Sequence, residues 1–273
     1  MQISIKQMIK KMKMCLGLFI AMTLAAPLVP GQTQDNYKID KLGKGFWRIQ
    51  AVKGTTSTAY LVEGKKYAFL VDVCSGQEGL KEIVQQLTGS KPVKVALTHG
   101  HFDHSGGIKY FSDIYMHVAD TGLIPKGVKV NMHYIKDGDV VDLGGIKFKV
   151  LSIPGHTPGS IAFYNKAGRY IFTGDGIGST SVWAHISNDP LTVYLESVKK
   201  LEKIKDKIDE IYVGHHEQET VRLTPQYITD MRIVTEKVLA GEIESKTYGY
   251  GRTPGKIATW GSASVVYNPD KLR

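Results

Sequence analysis

The sequence has little cysteine, no long hydrophobic run and no repeated or low-complexity segment. Its two cysteines are Cys15 and Cys74, which is too few for a disulfide framework to carry the fold. No stretch reaches the roughly 20 consecutive apolar residues of a membrane-spanning helix. The remaining composition is that of a globular protein, because 42% of the 273 residues are hydrophobic and can form a sizeable core.

The first 31 residues have the layout of a secretory signal peptide. Four lysines precede the apolar run from Cys15 to Ala26, and small residues and prolines follow it as far as Gly31. This order is typical of a cleaved export signal. The residues that suit cleavage are Val29 and Gly31, or alternatively Ala25 or Ala26, and an uncleaved N-terminal anchor is the other interpretation. We expect a signal peptide at 1–31, one catalytic domain at 32–273, and export to the periplasm or the medium.

Positive charge is modest and spread along the chain. The 35 lysines and arginines exceed the 26 acidic residues by nine, and the four lysines of the predicted signal lower that excess to five in the mature chain. No basic stretch is interleaved with aromatic residues, so nucleic acid is not the expected partner. Cys74 becomes the single cysteine after cleavage, and we expect its thiol to be buried and inert.

One stretch concentrates metal-ligand chemistry. The run from Thr98 to Gly107 reads THGHFDHSGG and holds three histidines and an aspartate within six residues. Imidazole nitrogen and carboxylate oxygen are the ligands that Zn²⁺ selects where no thiolate is offered. The run follows the short apolar segment Val93 to Leu97, and its glycines allow the backbone to turn. A strand ending in such a turn can aim these side chains at one point, so we expect a metal-binding loop here.

The H-x-H-x-D-H pattern of this loop resembles that of the metallo-β-lactamase superfamily. Further signatures follow in the expected order: PGHTPG around His156, TGD ending at Asp175, and VGH ending at His215. An upstream aspartate that closes a strand is also expected, and Asp72 fits. The resemblance covers most of the mature chain.

The resemblance implies two metal ions, expected to be Zn²⁺, with iron or manganese as alternatives. The first ion would be held by His99, His101 and His156, and the second by Asp103, His104 and His215. Asp175 would bridge both ions, and Asp103 would also orient the attacking metal-bound hydroxide or move its proton. Two alternatives stay open: His216 could replace His215 as the ligand, and Asp175 could be a turn residue in the sequence TGDG.

Strand and helix patterns agree with an α/β fold. Strands are predicted within Tyr37–Ala51, Thr56–Val62, Lys65–Asp72, Val93–Thr98, Ile114–Val118, Asp139–Leu143, Ile146–Ile153, Ile161–Asn165, Tyr170–Thr173 and Glu210–Val213. Helices are predicted at Gln77–Leu87, from Gly107 to Phe111, at Leu191–Lys207 and at Pro225–Ala240. The fold that the resemblance implies is a four-layer αββα sandwich with the ligands at the ends of strands.

The chemistry is better defined than the substrate. A carboxylate at Asp175 resembles the thioesterase, lactonase and phosphodiesterase branches, whereas β-lactamase branches commonly carry cysteine or serine there. Export favours a β-lactamase. The leading hypothesis is an exported dinuclear zinc hydrolase that cleaves a small ester-like bond such as a lactone. The alternatives are a β-lactamase and a non-catalytic metal-binding protein.

Three features outside this ligand series are flagged more weakly. Val182 to His185 is a candidate wall of the substrate pocket, as are Tyr248 to Arg252 and Trp260–Gly261. For the last two segments, a closing strand and loop is the simpler interpretation. His117, His133 and His185 match no ligand position and are expected to be surface or core residues.

Overall fold

A computed structural model describes residues 33–178, 181–216, 223–249 and 254–273. The strands are β1 (Thr33–Gln34), β2 (Tyr37–Gly43), β3 (Phe46–Ala51), β4 (Thr58–Glu63), β5 (Ala68–Val71), β6 (Val93–Ala96), β7 (Asp113–Met116), β8 (Asn131–Tyr134), β9 (Val140–Asp142), β10 (Lys147–Ser152), β11 (Ile161–Asn165), β12 (Tyr170–Gly174), β13 (Val182–Trp183), β14 (Glu210–Val213), β15 (Lys246–Tyr248), β16 (Gly255–Trp260) and β17 (Ala263–Tyr267). The α-helices are α1 (Leu80–Thr88), α2 (Phe102–Ser105), α3 (Leu191–Glu202) and α4 (Pro225–Ala240). Short 3-10 helices cover Gly106–Tyr110, Val118–Leu123 and Lys205–Lys207.

These strands form three sheets. The first runs β1 to β8 in sequence order, antiparallel as far as β5 and parallel from β5 to β8. The second has the order β14-β12-β11-β10-β9, with β12 and β14 parallel. The third is β13-β17-β16-β15. Helix α1 connects β5 to β6, because parallel neighbours need a crossover rather than a tight turn.

The first two sheets pack face to face through an aromatic core. Phe69 of β5 lies 5.1 Å, between ring centroids, from both Phe148 and Phe163 of the second sheet. The opposite face of the first sheet is covered by α1, which buries Leu80, Ile83 and Val84 at helical spacing. Helices α3 and α4 cover the opposite face of the second sheet, and α4 also packs on β16 and β17 of the third. The predicted αββα sandwich is therefore confirmed.

Most predicted elements are present, with shifts where turn geometry intervenes. Strand β11, strand β14 and helix α4 have the predicted bounds, and α4 ends at Gly241, whose φ is 71°. The predicted run Tyr37–Ala51 is divided at Gly45, whose φ of 65° turns the chain back. The helix predicted over Leu191–Lys207 stops at Glu202, and the one predicted from Gly107 is a 3-10 helix.

Two further expectations concern Cys74 and the N-terminal segment. Cys74 is fully buried with a free thiol, and burial raises its pKa to about 12, so the thiol stays protonated. The predicted signal peptide at 1–31 lies outside the described residues. Among the helices that the structure describes, none is both long and apolar enough to cross a bilayer.

Candidate metal centre

The predicted ligands collect at one rim of the sandwich. Strand β6 leads into the loop that carries His99 and His101, and β12 and β14 end just before Asp175 and His215. His156 lies in the loop after β10, which runs in the same direction as β12 because both are antiparallel to β11. Carboxyl ends of strands that share a direction meet at one edge, so the loops converge although they are distant in sequence.

The structure brings all seven predicted residues together. Their ligand-type atoms form three groups, and the atoms of each group lie within 4.8 Å of one another. The groups are His99, His101 and His156; His99, His104 and Asp175; and Asp103, His104 and His215. The first and third groups match the two ion sites that the resemblance implies. That these residues hold metal ions stays a proposal.

Asp175 lies between the two groups. Its Oδ2 is 3.6 Å from His156 Nε2 and 3.3 Å from His215 Nε2, and its Oδ1 is 3.4 Å from His104 Nε2. A carboxylate in contact with both groups fits a bridging role better than that of a turn residue. Gly214 permits this approach, because a Cβ there would lie 2.1 Å from Asp175 Oδ1.

Hydrogen bonds orient the imidazoles. Nδ1 of His156 lies 3.0 Å from the carbonyl oxygen of Trp183, and Nδ1 of His215 lies 2.7 Å from that of Thr56. A carbonyl oxygen can only accept, so each Nδ1 carries a proton and each ring turns its Nε2 toward the cluster. His104 Nδ1 donates in the same way to Asp72, at 3.0 Å.

The converging atoms fit a divalent cation. Nε2 of His99 and Oδ1 of Asp175 are buried without a hydrogen-bond partner, which is costly unless a cation satisfies them. Nε2 of His104 and Nε2 of His215 lie 3.4 Å apart, although both Nδ1 atoms already donate elsewhere. Two facing lone pairs would repel each other, so this approach needs a positive charge between the rings, either a bound cation or a proton held by one of them. The donor set is imidazole and carboxylate, which suits zinc.

Burial and neighbouring charges shift the pKa values of the predicted histidine ligands in opposite directions. Burial lowers the pKa of His99 well below its usual value and that of His156 to about 4, so both rings are neutral. Burial also lowers the pKa of His104, but the carboxylates of Asp175, Asp103 and Asp72 outweigh it and raise the pKa well above its usual value. In the metal-free protein, a proton therefore competes with a cation for His104.

The two site carboxylates are ionised. Burial raises the pKa of Asp103, but His104 and His215 outweigh this and hold it at about 2. The same two histidines hold the pKa of Asp175 well below its usual value against the effect of burial. Both groups therefore carry negative charge at neutral pH and can attract cations.

The histidines outside the predicted ligand set make different contacts. The backbone N–H of His216 donates to Thr58 Oγ1 at 3.2 Å, and its ring contacts the guanidinium of Arg48; the described clusters of ligand atoms include His215 instead. His185 is buried beside Trp183, and His133 lies exposed against Asp113. His117 accepts from the backbone N–H of Ala119 at 3.3 Å.

A buried carboxylate that sequence patterns did not reveal joins two of the ligand loops. Asp120 is fully buried and accepts from the backbone N–H of Gly100 at 2.8 Å, from Thr157 Oγ1 at 2.6 Å and from the backbone N–H of Gly159 at 2.7 Å. These donors flank His99, His101 and His156. Asp120 is therefore a positioning residue. It has no local signature, because its partners are distant in the chain.

Replacement of Asp120 with alanine is expected to lower the free energy of unfolding by about 3 kcal/mol, because buried donors lose their acceptor. Equilibrium unfolding in urea, with a chelator present in every sample, measures this cost apart from any metal. The zinc affinity of the first group should fall as well. Unfolding of Asp120→Ala at the wild-type urea midpoint would show that the two loops hold their positions without this carboxylate.

The cluster forms the floor of a cavity of about 720 Å³, a size typical of small-molecule sites. Its described lining residues are Gly54, Thr55, Thr56, His101, Phe102, Asp103, His156, Asp175, Gly178, Ser181, Trp183, Ile186, His215 and Tyr248. Trp183 and Tyr248 therefore lie on the cavity wall, and His185 lies behind them. Trp260 is exposed and is not among these lining residues. Tyr250, Gly251 and Arg252 lie outside the described residues.

Comparisons with known proteins agree with this geometry. A family model described as the metallo-β-lactamase superfamily matches residues 52–215. An acyl-coenzyme A thioesterase, MBLAC2, from Gallus gallus is 24% identical over 237 residues, covering 69% of this chain and 85% of the relative. A hydroxyacylglutathione hydrolase from Photobacterium profundum is 32% identical over 121 residues, covering 44% of this chain and 46% of that protein.

Solved structures share the fold. A metallo-β-lactamase from Pontibacter korlensis superposes with a TM-score of 0.61 at 17% identity, covering 73% of this chain and 99% of that one. A metallo-β-lactamase from Erythrobacter litoralis superposes with a TM-score of 0.58 at 18% identity, covering 76% and 99% of the two chains. At these identities, the likeness concerns the fold alone.

Proposed function

This chain belongs to the metallo-β-lactamase superfamily, and we propose that it is a dinuclear zinc hydrolase that cleaves a thioester or a related ester-like bond. The observation that carries the proposal is the position of Asp175, whose two oxygens contact imidazole nitrogens of both ligand groups. The names of two relatives, a thioesterase of acyl-coenzyme A and a hydrolase of hydroxyacylglutathione, support a thioester substrate. A lactone is a further ester-like candidate.

The predicted ligands form two sets, one for each ion. His99, His101 and His156 would hold one ion, Asp103, His104 and His215 the other, and Asp175 both. Bound zinc would polarise the carbonyl oxygen of a substrate and acidify a water molecule. Asp103 is ionised and a quarter exposed, so it can accept a hydrogen bond from the attacking water and orient it, or take its proton.

Turnover by the zinc-loaded protein tests the proposal. The substrates are an acyl-coenzyme A, an acylglutathione, an acyl-homoserine lactone and a β-lactam, each with and without a chelator. We expect thioester cleavage that is lost on chelation and restored by zinc. Cleavage of the β-lactam alone would overturn the proposal, as would turnover that survives complete removal of metal. Zinc binding without turnover of any substrate would favour a non-catalytic metal-binding protein.

Two adjacent histidines provide a matched pair of variants. We expect His215→Ala to lose one of two bound zinc ions, because its Nε2 faces the cluster. His216→Ala should keep both ions, because its ring contacts Arg48 instead. Zinc content after dialysis measures the difference. Loss of an ion from His216→Ala and not from His215→Ala would reverse the ligand assignment.

Export of the mature chain, 32–273, is part of the proposal. Its support is the order of the N-terminal sequence, with lysines followed by a short apolar run and small residues. Mass spectrometry of the purified protein reads its N-terminus. A chain that keeps its first residues and stays inside the producing cell would contradict export.

A further inference from the structure

The cavity above the ligand cluster has a polar floor and an apolar wall. We define the apolar wall as Trp183, Ile186 and Tyr248, which line the cavity together with histidines and carboxylates of the floor. Each wall residue is only partly buried, so part of its side chain remains accessible to a ligand. The lining residues that are predicted metal ligands, and would act on the reacting bond, all lie in the floor. The wall is therefore available to contact another part of the substrate.

A buried histidine holds the two aromatic rings of this wall in place. Trp183, Tyr248 and His185 form a triangle with ring centroids 5.7 to 6.0 Å apart and interplanar angles of 67° to 74°. Edge-to-face contacts of this kind are favourable for aromatic pairs. His185 is 2% exposed and fits against Gly255, where a Cβ would lie 3.3 Å from its Cδ2. The rings are thus supported from behind before any ligand arrives.

The wall is tied directly to the cluster. The carbonyl oxygen of Trp183 accepts the hydrogen bond from His156 Nδ1, at 3.0 Å. Backbone pairing with Val266 of β17 holds Trp183 from the other side. The indole therefore belongs to the same residue that orients a predicted ligand, so a group resting on it lies next to the reacting bond.

The side chains of the wall itself favour an uncharged group. Among the described lining residues, there are two carboxylates and three histidines, all in the floor, but no lysine or arginine. The proposed zinc ions would add positive charge at the floor, whereas Trp183, Ile186 and Tyr248 offer no charged side chain that could pair with a phosphate or carboxylate. Removal of apolar surface from water is the main favourable contribution that tryptophan, isoleucine and tyrosine side chains can make.

We propose that the apolar wall binds the acyl group of the substrate, and that this group is an uncharged aliphatic or aromatic chain. This inference rests on the proposed function, because it assigns one part of an ester-like substrate to one part of the cavity. The wall is a specificity determinant: it selects the chain attached to the carbonyl carbon, whereas the floor holds the bond that breaks.

Binding of thioether analogues tests the wall without turnover. In these compounds a methylene group replaces the carbonyl group, so they cannot be hydrolysed. Calorimetry with the zinc-loaded protein should show that a hexyl thioether, the analogue of a hexanoyl thioester, binds at least about tenfold more tightly than an ethyl thioether, the analogue of an acetyl thioester. A chain of the same length that ends in a carboxylate should lose that advantage. Equal affinities for the three analogues would overturn the inference, whatever the enzyme hydrolyses.

Turnover of variants supplies the second measurement. We expect Trp183→Ala to lower kcat/KM for a hexanoyl thioester by about tenfold and to change kcat/KM for an acetyl thioester by less than about threefold. Trp260→Ala is the matched control, because Trp260 is exposed and is not among the cavity-lining residues. An equal loss for both substrates in Trp183→Ala would contradict a role in acyl selection.

The two proposals can fail separately. If the protein binds the hexyl thioether tightly but hydrolyses none of the substrates, the inference about the apolar wall holds and the proposed function is wrong. If it hydrolyses thioesters with no preference among acyl chains or analogues, the proposed function holds and the inference about the wall is wrong. If Trp183→Ala fails to fold, the comparison of analogues on the wild-type protein decides.

Discussion

Replacement of Asp103 with asparagine is expected to lower turnover by about a thousandfold and leave the fold intact. The amide keeps the shape of the side chain but loses the negative charge and the ability to take a proton, and such a group contributes about 10²–10⁴-fold to rate. Asp103 Oδ2 lies 3.3 Å from His215 Nε2, so the change also removes a charge from the second ligand group.

Three measurements separate catalysis from folding in this variant. Steady-state kinetics measures the loss of turnover, circular dichroism tests whether the fold is retained, and zinc analysis gives the number of bound ions. Asp270→Asn is the matched control, because Asp270 is exposed near the chain end and should behave as wild type. Wild-type turnover by Asp103→Asn would mean that another group orients the attacking water.

The second large effect is expected at Asp72, which is not itself in the ligand groups. Its Oδ1 accepts from the backbone N–H of Thr98 at 2.7 Å, and its Oδ2 accepts from Thr98 Oγ1 at 2.8 Å and from His104 Nδ1 at 3.0 Å. The Thr98 hydroxyl, having donated to Asp72, can accept from His99 Nδ1 at 3.1 Å. One carboxylate therefore sets the tautomers of two predicted ligands.

Asp72→Asn should reverse these hydrogen bonds. With its oxygen facing the backbone N–H of Thr98, the new amide N–H₂ would point at His104 Nδ1, which could then only accept. The proton would move to Nε2 and remove the lone pair that faces the cluster. We expect zinc affinity and turnover to fall by about 10–100-fold each.

Zinc titration and kinetics measure this change. Asparagine is among the side chains that tolerate the left-handed conformation, and the φ of Asp72 is 61°, so backbone strain should not confuse the result. Asp270→Asn serves again as the control for an exposed aspartate. If Asp72→Asn bound two zinc ions with unchanged affinity, the tautomers of His99 and His104 would have to be set by something else.

Sequence patterns predicted the layered fold because its signals are local. The apolar segment before the ligand loop becomes β6, and Leu80, Ile83 and Val84 of α1 repeat at the period of a buried helix face. The observed ends of the elements differ from the predicted ones where contacts distant in sequence determine a turn, as at the C-terminal end of α3. Strands β1, β8, β13 and β17 were not predicted; β8 is mostly exposed, and β1 and β13 have only two residues each.

The candidate ligand set followed from residue type and order together with the resemblance to the superfamily. Histidines and aspartates in short spacings after apolar strands carry their chemistry in the sequence, so all seven predicted residues could be named before their positions were known. The choice between His215 and His216 could not be made in this way. Both follow the same strand, and only the packing of Arg48 against the His216 ring distinguishes them.

What the sequence by itself determined is the family, the order of the layers and the donor atoms. The tertiary structure alone showed the contacts of Asp120 and brought together the apolar wall, of which Trp183 and Tyr248 lie in segments that the sequence flagged only weakly. Asp120 bonds to loops that arrive from distant parts of the chain, and Trp183 and Tyr248 meet only when the third sheet forms. The physical reason is that a ligand motif requires particular atoms at short spacing, whereas a buried acceptor or a cavity wall requires only that separate segments come into contact.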